Sequence, residues 1–153
     1  TLMKNVTYII QKSSTLPKDL ENVSESFDQW CDIPLLGTVS AGSPIDIYPT
    51  EEQISVPACM VRKECYALRV KGDSMVDEHI HDGDIILVKK QTHADNGQSV
   101  VVLINGEQTT LKKFYVEATG IRLQPANSQL EAIFLRHDQV QILGIVQCIV
   151  RMP

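Results

Sequence analysis

The sequence predicts a mostly β domain that is compact and strongly bent, preceded by a short N-terminal linker or helix. Hydrophobic residues make up 43% of the 153 residues, which is enough to bury one good core but hardly a second one. Val and Ile are frequent, and these β-branched residues favour strands over helices. From Ile33 onward, short apolar runs alternate with turn-forming residues, which is typical of a β-rich domain.

Seven candidate strands follow one another along this part of the chain. They cover residues 35–39, 65–70, 85–89, 100–104, 109–115, 121–124 and 142–150. Turns between several of them are indicated by Asp82-Gly83-Asp84, Asn96-Gly97, Asn105-Gly106 and Thr119-Gly120. No segment repeats at a fixed period, which excludes solenoids and propellers.

Residues 1–31 are predicted to be a linker with the end of a preceding domain, and residues 32–153 to be the β domain. The stretch 11–18 is polar, as linkers usually are. A short amphipathic helix is predicted by apolar residues at spacings of three and four, namely Leu20, Val23, Phe27 and Trp30. Because the chain starts at Thr1 with neither a methionine nor a leader, we expect further protein upstream.

Charge and composition argue against several classes of function. The net charge is -5 and no basic stripe is present, so this chain alone is not expected to hold DNA. Its longest apolar runs are far shorter than a membrane span, so we expect no membrane anchor. The four cysteines form no close Cys-x-x-Cys pair, which favours reduced thiols in the cytoplasm over a disulfide framework or a zinc site. No cofactor is expected.

Ser74 is the candidate nucleophile. It follows the predicted strand 65–70 within Gly72-Asp73-Ser74-Met75, where the chain turns and backbone N–H groups become free to stabilise a developing oxyanion. By itself this turn is weak evidence, because most serines in such turns bond only to nearby backbone groups.

The base that would activate Ser74 is either a histidine or a lysine. The four histidines lie in polar surroundings without an evident acidic partner, and a metal site at His79 and His81 is not favoured beside a solvated turn. Strand alternation points Lys112 and Lys113 to opposite faces, so one of them can be buried. Burial lowers the pKa of a lysine and makes it a usable general base, although two exposed lysines are the commoner arrangement.

Five motifs in order resemble the catalytic core of the LexA-like self-cleaving peptidase family, which includes the SOS repressor, phage repressors and the UmuD mutagenesis proteins. The agreement covers about residues 33–150 and is far more specific than any one motif. The motifs are IPLLGTVSAG at 33–42, YALRVKGDSM at 66–75, DGD at 82–84, TLKKF at 110–114 and LQPANS at 123–128.

This resemblance implies a serine-lysine peptidase that cuts its own chain. It implies that Ser74 is the nucleophile, that Lys112 is the general base, and that the backbone amides of Asp73 and Ser74 form the oxyanion hole. It further implies a LexA-like C-terminal peptidase fold.

The resemblance also identifies Ala41-Gly42 as the scissile bond, within a substrate loop that includes Val39 and Ser40. The residue types suit this role, because Ala41 and Gly42 have almost no side chain and can enter a narrow cleft. Pro44 lacks a backbone N–H and prevents the segment from pairing as an ordinary strand. Without the resemblance, this segment would be interpreted as a plain loop.

Partners are implied by the resemblance as well. We expect a homodimer, with residues 142–150 near the two-fold interface because both faces of that strand are apolar. A RecA filament on single-stranded DNA would act as co-protease, and DNA would be bound only through an N-terminal domain absent from this chain.

Three other functions remain possible. A UmuD-like accessory protein of a translesion polymerase has the same dyad, but it is expected to have a shorter N-terminal arm and often Cys in place of Ala41. A signal peptidase also uses serine and lysine, but it needs a membrane anchor. The domain could also be a dimerisation module that no longer cleaves.

Overall fold

The computed structural model of the chain describes residues 7–10, 29–40, 52–58, 61 and 64–151. Ten strands form one mostly antiparallel sheet in this part of the chain. They are β1 (Thr7–Ile10), β2 (Trp30–Ser40), β3 (Gln53–Pro57), β4 (Cys65–Lys71), β5 (Ile85–Lys90), β6 (Ser99–Ile104), β7 (Gln108–Glu117), β8 (Gly120–Gln124), β9 (Ile133–Leu135) and β10 (Val140–Arg151). Short 3₁₀ turns lie at Val76–Glu78 and His137–Gln139. The mostly β fold class is confirmed.

The strand order is β3-β2-β4-β5-β10-β6-β7-β8-β9, and β1 also pairs with β10. Strands β2 and β4 are parallel, whereas the other pairs are antiparallel. Strands β2 and β7 lie in contact although four strands separate them in this order. The sheet therefore folds back on itself, which confirms the predicted strong bend.

Strand β10 joins the two halves of the sheet by changing partners along its length. Residues 140–145 pair with β6, and residues 144–150 pair with β5 on the opposite edge. A bulge interrupts each ladder, and bulges bend the strand that carries them. Strand β1 pairs with residues 148–151, on the edge that β6 leaves free. Both edges of β10 thus find partners within the chain, and the two-fold interface at 142–150 stays a prediction.

Aliphatic side chains of the central strands form the core. Among those with almost no exposure are Leu68 on β4, Ile86 on β5, Val101 on β6 and Ile149 on β10, which belong to one cluster. Each buried side chain of this kind stabilises the fold by about 1.5–3 kcal/mol relative to an exposed one. The central strands therefore form a firm base for the segments that leave their ends.

All seven predicted strands are present, with ends shifted by at most five residues. The prediction missed three short strands, β1, β3 and β9. Trp30 was predicted to lie on a helix, but this is wrong, because it begins β2 and pairs with Pro57. The other three residues of that predicted helix lie outside the described residues. The domain boundary at residue 31 stays a prediction, and Thr7–Ile10 upstream of it already pairs with β10.

No disulfide joins the described cysteines, Cys31, Cys65 and Cys148. Cys59 lies outside the described residues. In the described ranges, no helix has the length and apolar character that a membrane crossing would require.

Candidate active site

Ser74 lies in a tight turn that begins where β4 ends. Gly72 takes a φ of 99°, a left-handed value that favours glycine, and the chain bends there out of the sheet. The side chain of Asp82 holds this bend, because its Oδ1 accepts a hydrogen bond of 2.8 Å from the Gly72 N–H. Ser74 itself is only 6% exposed. The predicted position of Ser74 at a strand end where the chain turns is confirmed.

Free backbone N–H groups surround Ser74. Among the described residues, the amides of Asp73, Ser74 and Met75 donate no hydrogen bond, whereas the following amides from Val76 onward are bonded within the turn or to Ala126. Consecutive free amides of this kind can bind an oxyanion. The two amides that the sequence analysis named for this role, those of Asp73 and Ser74, are thus available for it.

Lys112 lies in the middle of β7 and is only 3% exposed. Its Nζ donates hydrogen bonds to Thr110 Oγ1 at 2.9 Å and to the Leu111 carbonyl at 3.1 Å. Burial lowers the pKa of Lys112 from 10.5 to about 8, because desolvation disfavours the ammonium form. A neutral amine has two N–H groups and one lone pair, so these two bonds leave the lone pair free to accept a proton.

Lys113, the next residue, projects the other way. Its Nζ forms an ion pair of 2.8 Å with Glu78 Oε1 in the 3₁₀ turn that follows Ser74. The hydrogen bond that Lys113 donates to Glu78 raises the pKa of Lys113, in contrast to the lowered pKa of Lys112. The predicted division of the two lysines between opposite faces of the strand is confirmed.

One core cluster links the three elements of the candidate site. It contains Val39 near the end of β2, Met75 next to Ser74, and Leu111 next to Lys112. The Lys113–Glu78 ion pair draws the turn after Ser74 against β7. Within the described residues, however, no hydrogen bond joins the Ser74 hydroxyl to the Lys112 amine.

Val39 and Ser40, which are predicted to lie in the substrate loop, are the last two residues of strand β2. Val39 pairs with Val70, and Ser40 pairs with Lys71, in the parallel ladder between β2 and β4. Strand β2 therefore ends at Ser40, beside the end of β4 that leads to Ser74. Ala41 and Gly42 lie outside the described residues.

Two contributors to this region were missed by sequence reasoning. Asn127 bonds to the backbone beside Ser74, and Arg151 forms an ion pair with Asp84 behind the same turn. The sequence signals for Asp84 are the turn and the DGD motif at 82–84, and neither indicates an ion pair. The one sequence signal for Asn127 is the LQPANS motif.

Among the residues with described side chains, no group of three or more His, Cys, Asp and Glu could hold a metal ion. His79 and His81, considered above as a metal pair, are both exposed on the loop between β4 and β5.

Comparison with known proteins identifies relatives of this chain. It is 46% identical over 120 residues to the LexA repressor of Syntrophobacter fumaroxidans, covering 78% of this chain and 58% of the relative. It is 44% identical over 142 residues to the LexA repressor of Carboxydothermus hydrogenoformans, covering 90% of this chain and 69% of the relative. It is 40% identical over 153 residues to the LexA repressor of Clostridioides difficile, covering 94% of this chain and 72% of the relative.

The chain thus matches 58–72% of the length of these three repressors. The Peptidase S24-like family matches residues 34–147, a stretch that contains Ser74, Lys112 and the Ala41-Gly42 pair. The chain belongs to the Peptidase S24-like family.

Proposed function

We propose that this chain is the autoproteolytic and dimerisation domain of a repressor of the SOS or prophage type. It cuts its own Ala41-Gly42 bond with Ser74 as nucleophile and Lys112 as general base. The observation that carries the proposal is the buried Lys112, whose lowered pKa of about 8 provides a neutral amine close to physiological pH. The free amides around Ser74 and the family membership also support it.

In the proposed reaction, neutral Lys112 takes the proton from the Ser74 hydroxyl as Oγ attacks the carbonyl carbon of Ala41. The resulting oxyanion is stabilised by the amides of Asp73 and Ser74. The tetrahedral intermediate then breaks its bond to the Gly42 nitrogen, which leaves as an amine after receiving the proton from Lys112. A water molecule, deprotonated by Lys112, hydrolyses the ester between Ser74 and Ala41 and restores both side chains.

The reaction is intramolecular, because the target bond and the dyad belong to one chain. Docking of the loop then replaces a bimolecular encounter, which can contribute about 7–11 kcal/mol towards the barrier. Repression must last until a signal arrives, so the loop spends most of its time undocked and the rate at neutral pH is low. The missing hydrogen bond between Ser74 and Lys112 is compatible with such a resting state.

As part of a longer repressor, the domain joins two DNA-binding heads as a homodimer. A RecA filament on single-stranded DNA favours the docked loop after DNA damage, in the cytoplasm. DNA is bound through an N-terminal domain outside this chain, since the net charge of -5 disfavours duplex binding by this chain alone. The names of the three relatives favour this repressor role over a UmuD-like accessory role.

A mass measurement tests the peptidase. Dilute purified chain is incubated at neutral and alkaline pH beside Ser74→Ala and Lys112→Ala variants, and the products are weighed. We expect fragments that end at Ala41 and begin at Gly42, with a rate independent of protein concentration. An intact chain at every pH, or a cut that survives Ser74→Ala, would contradict the proposal and leave a non-cleaving dimerisation module.

A further inference from the structure

The loop that follows β8 is tied to the turn that carries Ser74 by two hydrogen bonds of opposite direction. Asn127 Nδ2 donates to the carbonyl oxygen of Asp73 at 2.8 Å, and the Asp77 N–H donates to the Ala126 carbonyl at 2.7 Å. Ser74 lies between these two attachment points. The loop therefore contacts the backbone on both sides of the proposed nucleophile.

The orientation of the Asn127 amide is determined by its other contacts. Its Oδ1 accepts the N–H of Gln129 at 2.9 Å, so the opposite end of the amide, Nδ2, is the end that faces Asp73. The Asn127 carbonyl also accepts the N–H of Leu130 at 3.1 Å, which closes a turn. The donor that reaches Asp73 is thus held by the folding of its own loop.

The bond to the Asp73 carbonyl determines where the Ser74 amide points. The peptide between Asp73 and Ser74 is planar, and in a trans peptide the C=O and N–H groups point in opposite directions. Holding the carbonyl oxygen at Asn127 therefore directs the Ser74 N–H away from this loop. That N–H has no acceptor among the described residues.

We infer that Asn127 is a positioning residue that orients the Ser74 amide as a donor to the oxyanion. The inference rests on the proposed function, in which that amide binds the oxygen of the Ala41 carbonyl. The contribution is preorganisation, since a donor that is already aimed needs no rearrangement as charge develops. Asn127 itself does not touch the reacting atoms.

The other contact to the same oxygen is too weak to replace Asn127. The Val76 N–H approaches the Asp73 carbonyl at 3.4 Å, which is beyond the usual range for an N–H···O bond. Without Asn127, the peptide plane can rotate and the Ser74 N–H loses its fixed direction. Removal of an oxyanion donor lowers kcat by about 10²–10³-fold, so misdirecting one is expected to lower the self-cleavage rate by about 10–100-fold.

Two variants and a matched control test this role. Asn127→Ala removes the side-chain amide, and Asn127→Asp keeps its shape but replaces the donor by an oxygen that repels the Asp73 carbonyl. Asn96→Ala is the control, because Asn96 also fixes a loop to backbone, through a 2.8 Å bond from the Val116 N–H to its Oδ1, but on a different loop. Self-cleavage is followed from neutral to alkaline pH, and thermal unfolding of each variant is measured in a Ser74→Ala background.

We expect both Asn127 variants to lower the alkaline plateau of the rate by about 10–100-fold. The pH midpoint should not move, since the midpoint reports Lys112. Asn96→Ala should keep the wild-type plateau even if it lowers the melting temperature as much as the Asn127 variants do. A wild-type plateau in both Asn127 variants, a shifted midpoint in place of a lower plateau, or an equal loss of rate in Asn96→Ala would each overturn the inference.

A spectroscopic measurement separates this inference from the proposed function. The ¹⁵N-labelled Ser74 amide shares a peptide with the Asp73 carbonyl, so its chemical shift should change in both Asn127 variants and stay unchanged in Asn96→Ala. A wild-type chain that never cuts itself contradicts the proposed function. If the chemical shift of the Ser74 amide is the same in wild type and in both Asn127 variants, the inference is contradicted, whether or not the chain cuts itself.

Discussion

Arg151 near the end of β10 and Asp84 directly before β5 form a two-point ion pair. Arg151 Nε donates to Asp84 Oδ1, and Nη2 donates to Oδ2, both at 2.9 Å. Nη2 also donates to the His79 carbonyl at 2.9 Å, while Asp84 Oδ2 accepts the His81 N–H at 2.8 Å. The pair therefore fastens the loop that follows Ser74 to the C-terminal strand.

Arg151→Met should destabilise the fold by about 2–4 kcal/mol, since it leaves the Asp84 carboxylate buried without its cation. Burial alone would raise the pKa of Asp84, but the hydrogen bonds from Arg151 and the His81 amide prevail and lower it. The stabilisation is thus present above the ordinary carboxyl pKa and is lost as pH falls through the lowered one. Urea unfolding should show that Arg151→Met has a lower free energy of unfolding than wild type at pH 7. This difference should become smaller in acid.

Arg136→Met is the control for this comparison. Arg136 and Asp138 also form an ion pair, but each of their side chains is 72% exposed. Such pairs contribute little to stability, so this variant should unfold like wild type. Equal unfolding curves for Arg151→Met and wild type at pH 7 would contradict the role of the Asp84 pair.

The self-cleavage rate should rise with pH and reach half of its plateau near pH 8, where half of the Lys112 side chains are neutral. If a solvent-exposed lysine were the base, this midpoint would lie at pH ~10.4. The measurement is a first-order rate taken at closely spaced pH values. A midpoint close to that of a free lysine would mean that Lys112 is not the group that titrates.

Lys112→Met should stabilise the protein at neutral pH, because it removes the cost of burying an amine. The folded state lowers the pKa from 10.5 to about 8, so the unfolded chain binds more protons between these values and wild-type stability rises with pH there. At about 1.4 kcal/mol per pKa unit, the gain at pH 7 is at most about 3.5 kcal/mol. It should shrink towards zero by about pH 10.5.

The comparison is made by urea unfolding in a Ser74→Ala background, so that neither chain is cut. Lys112→Met also loses the two hydrogen bonds of the amine, which reduces the gain. A gain that stayed constant from pH 7 to pH 10.5 would show that the amine is not desolvated in the folded state.

Lys113→Met should leave the pH midpoint of cleavage in place and cost less than about 1 kcal/mol of stability, because its pair with Glu78 is partly exposed. The raised pKa of Lys113 keeps this contribution constant until strongly alkaline pH, where it is lost. Glu78→Gln should behave alike, since it breaks the same pair. A midpoint shift as large as one pH unit in either variant would mean that Lys113 takes part in the proton transfer.

Gly144→Ala should destabilise the fold by about 1–3 kcal/mol or more through overpacking. A Cβ at Gly144 would collide with Val88 Cγ1 and lie 2.6 Å from the Lys89 carbonyl, where β10 changes partners. Gly106→Ala is a useful control, since nothing lies within 4 Å of its Cβ and only its φ of +71° opposes a side chain. Thermal melts that ranked Gly106→Ala as the more damaging change would contradict the packing argument.

Local patterns sufficed for much of this protein. Seven of the ten strands follow from their apolar runs, and the opposite environments of Lys112 and Lys113 follow from the period of two along a strand. Strand β9 has only three residues, and two of them are exposed, so it lacks any such pattern. Strand β1 has four residues next to a polar stretch, and it forms because β10 offers a free edge there.

The sequence by itself thus determined the fold class, the positions of seven strands and the residue types available for the chemistry. Only the tertiary structure decided which of these residues contact one another, because no local sequence pattern encodes a contact between segments that are distant in the chain. Asn127 reaches Asp73 across 54 residues, and Arg151 reaches Asp84 across 67. The lowered pKa of Lys112 likewise depends on the side chains that exclude water from its amine, which a strand pattern can suggest but only packing can decide.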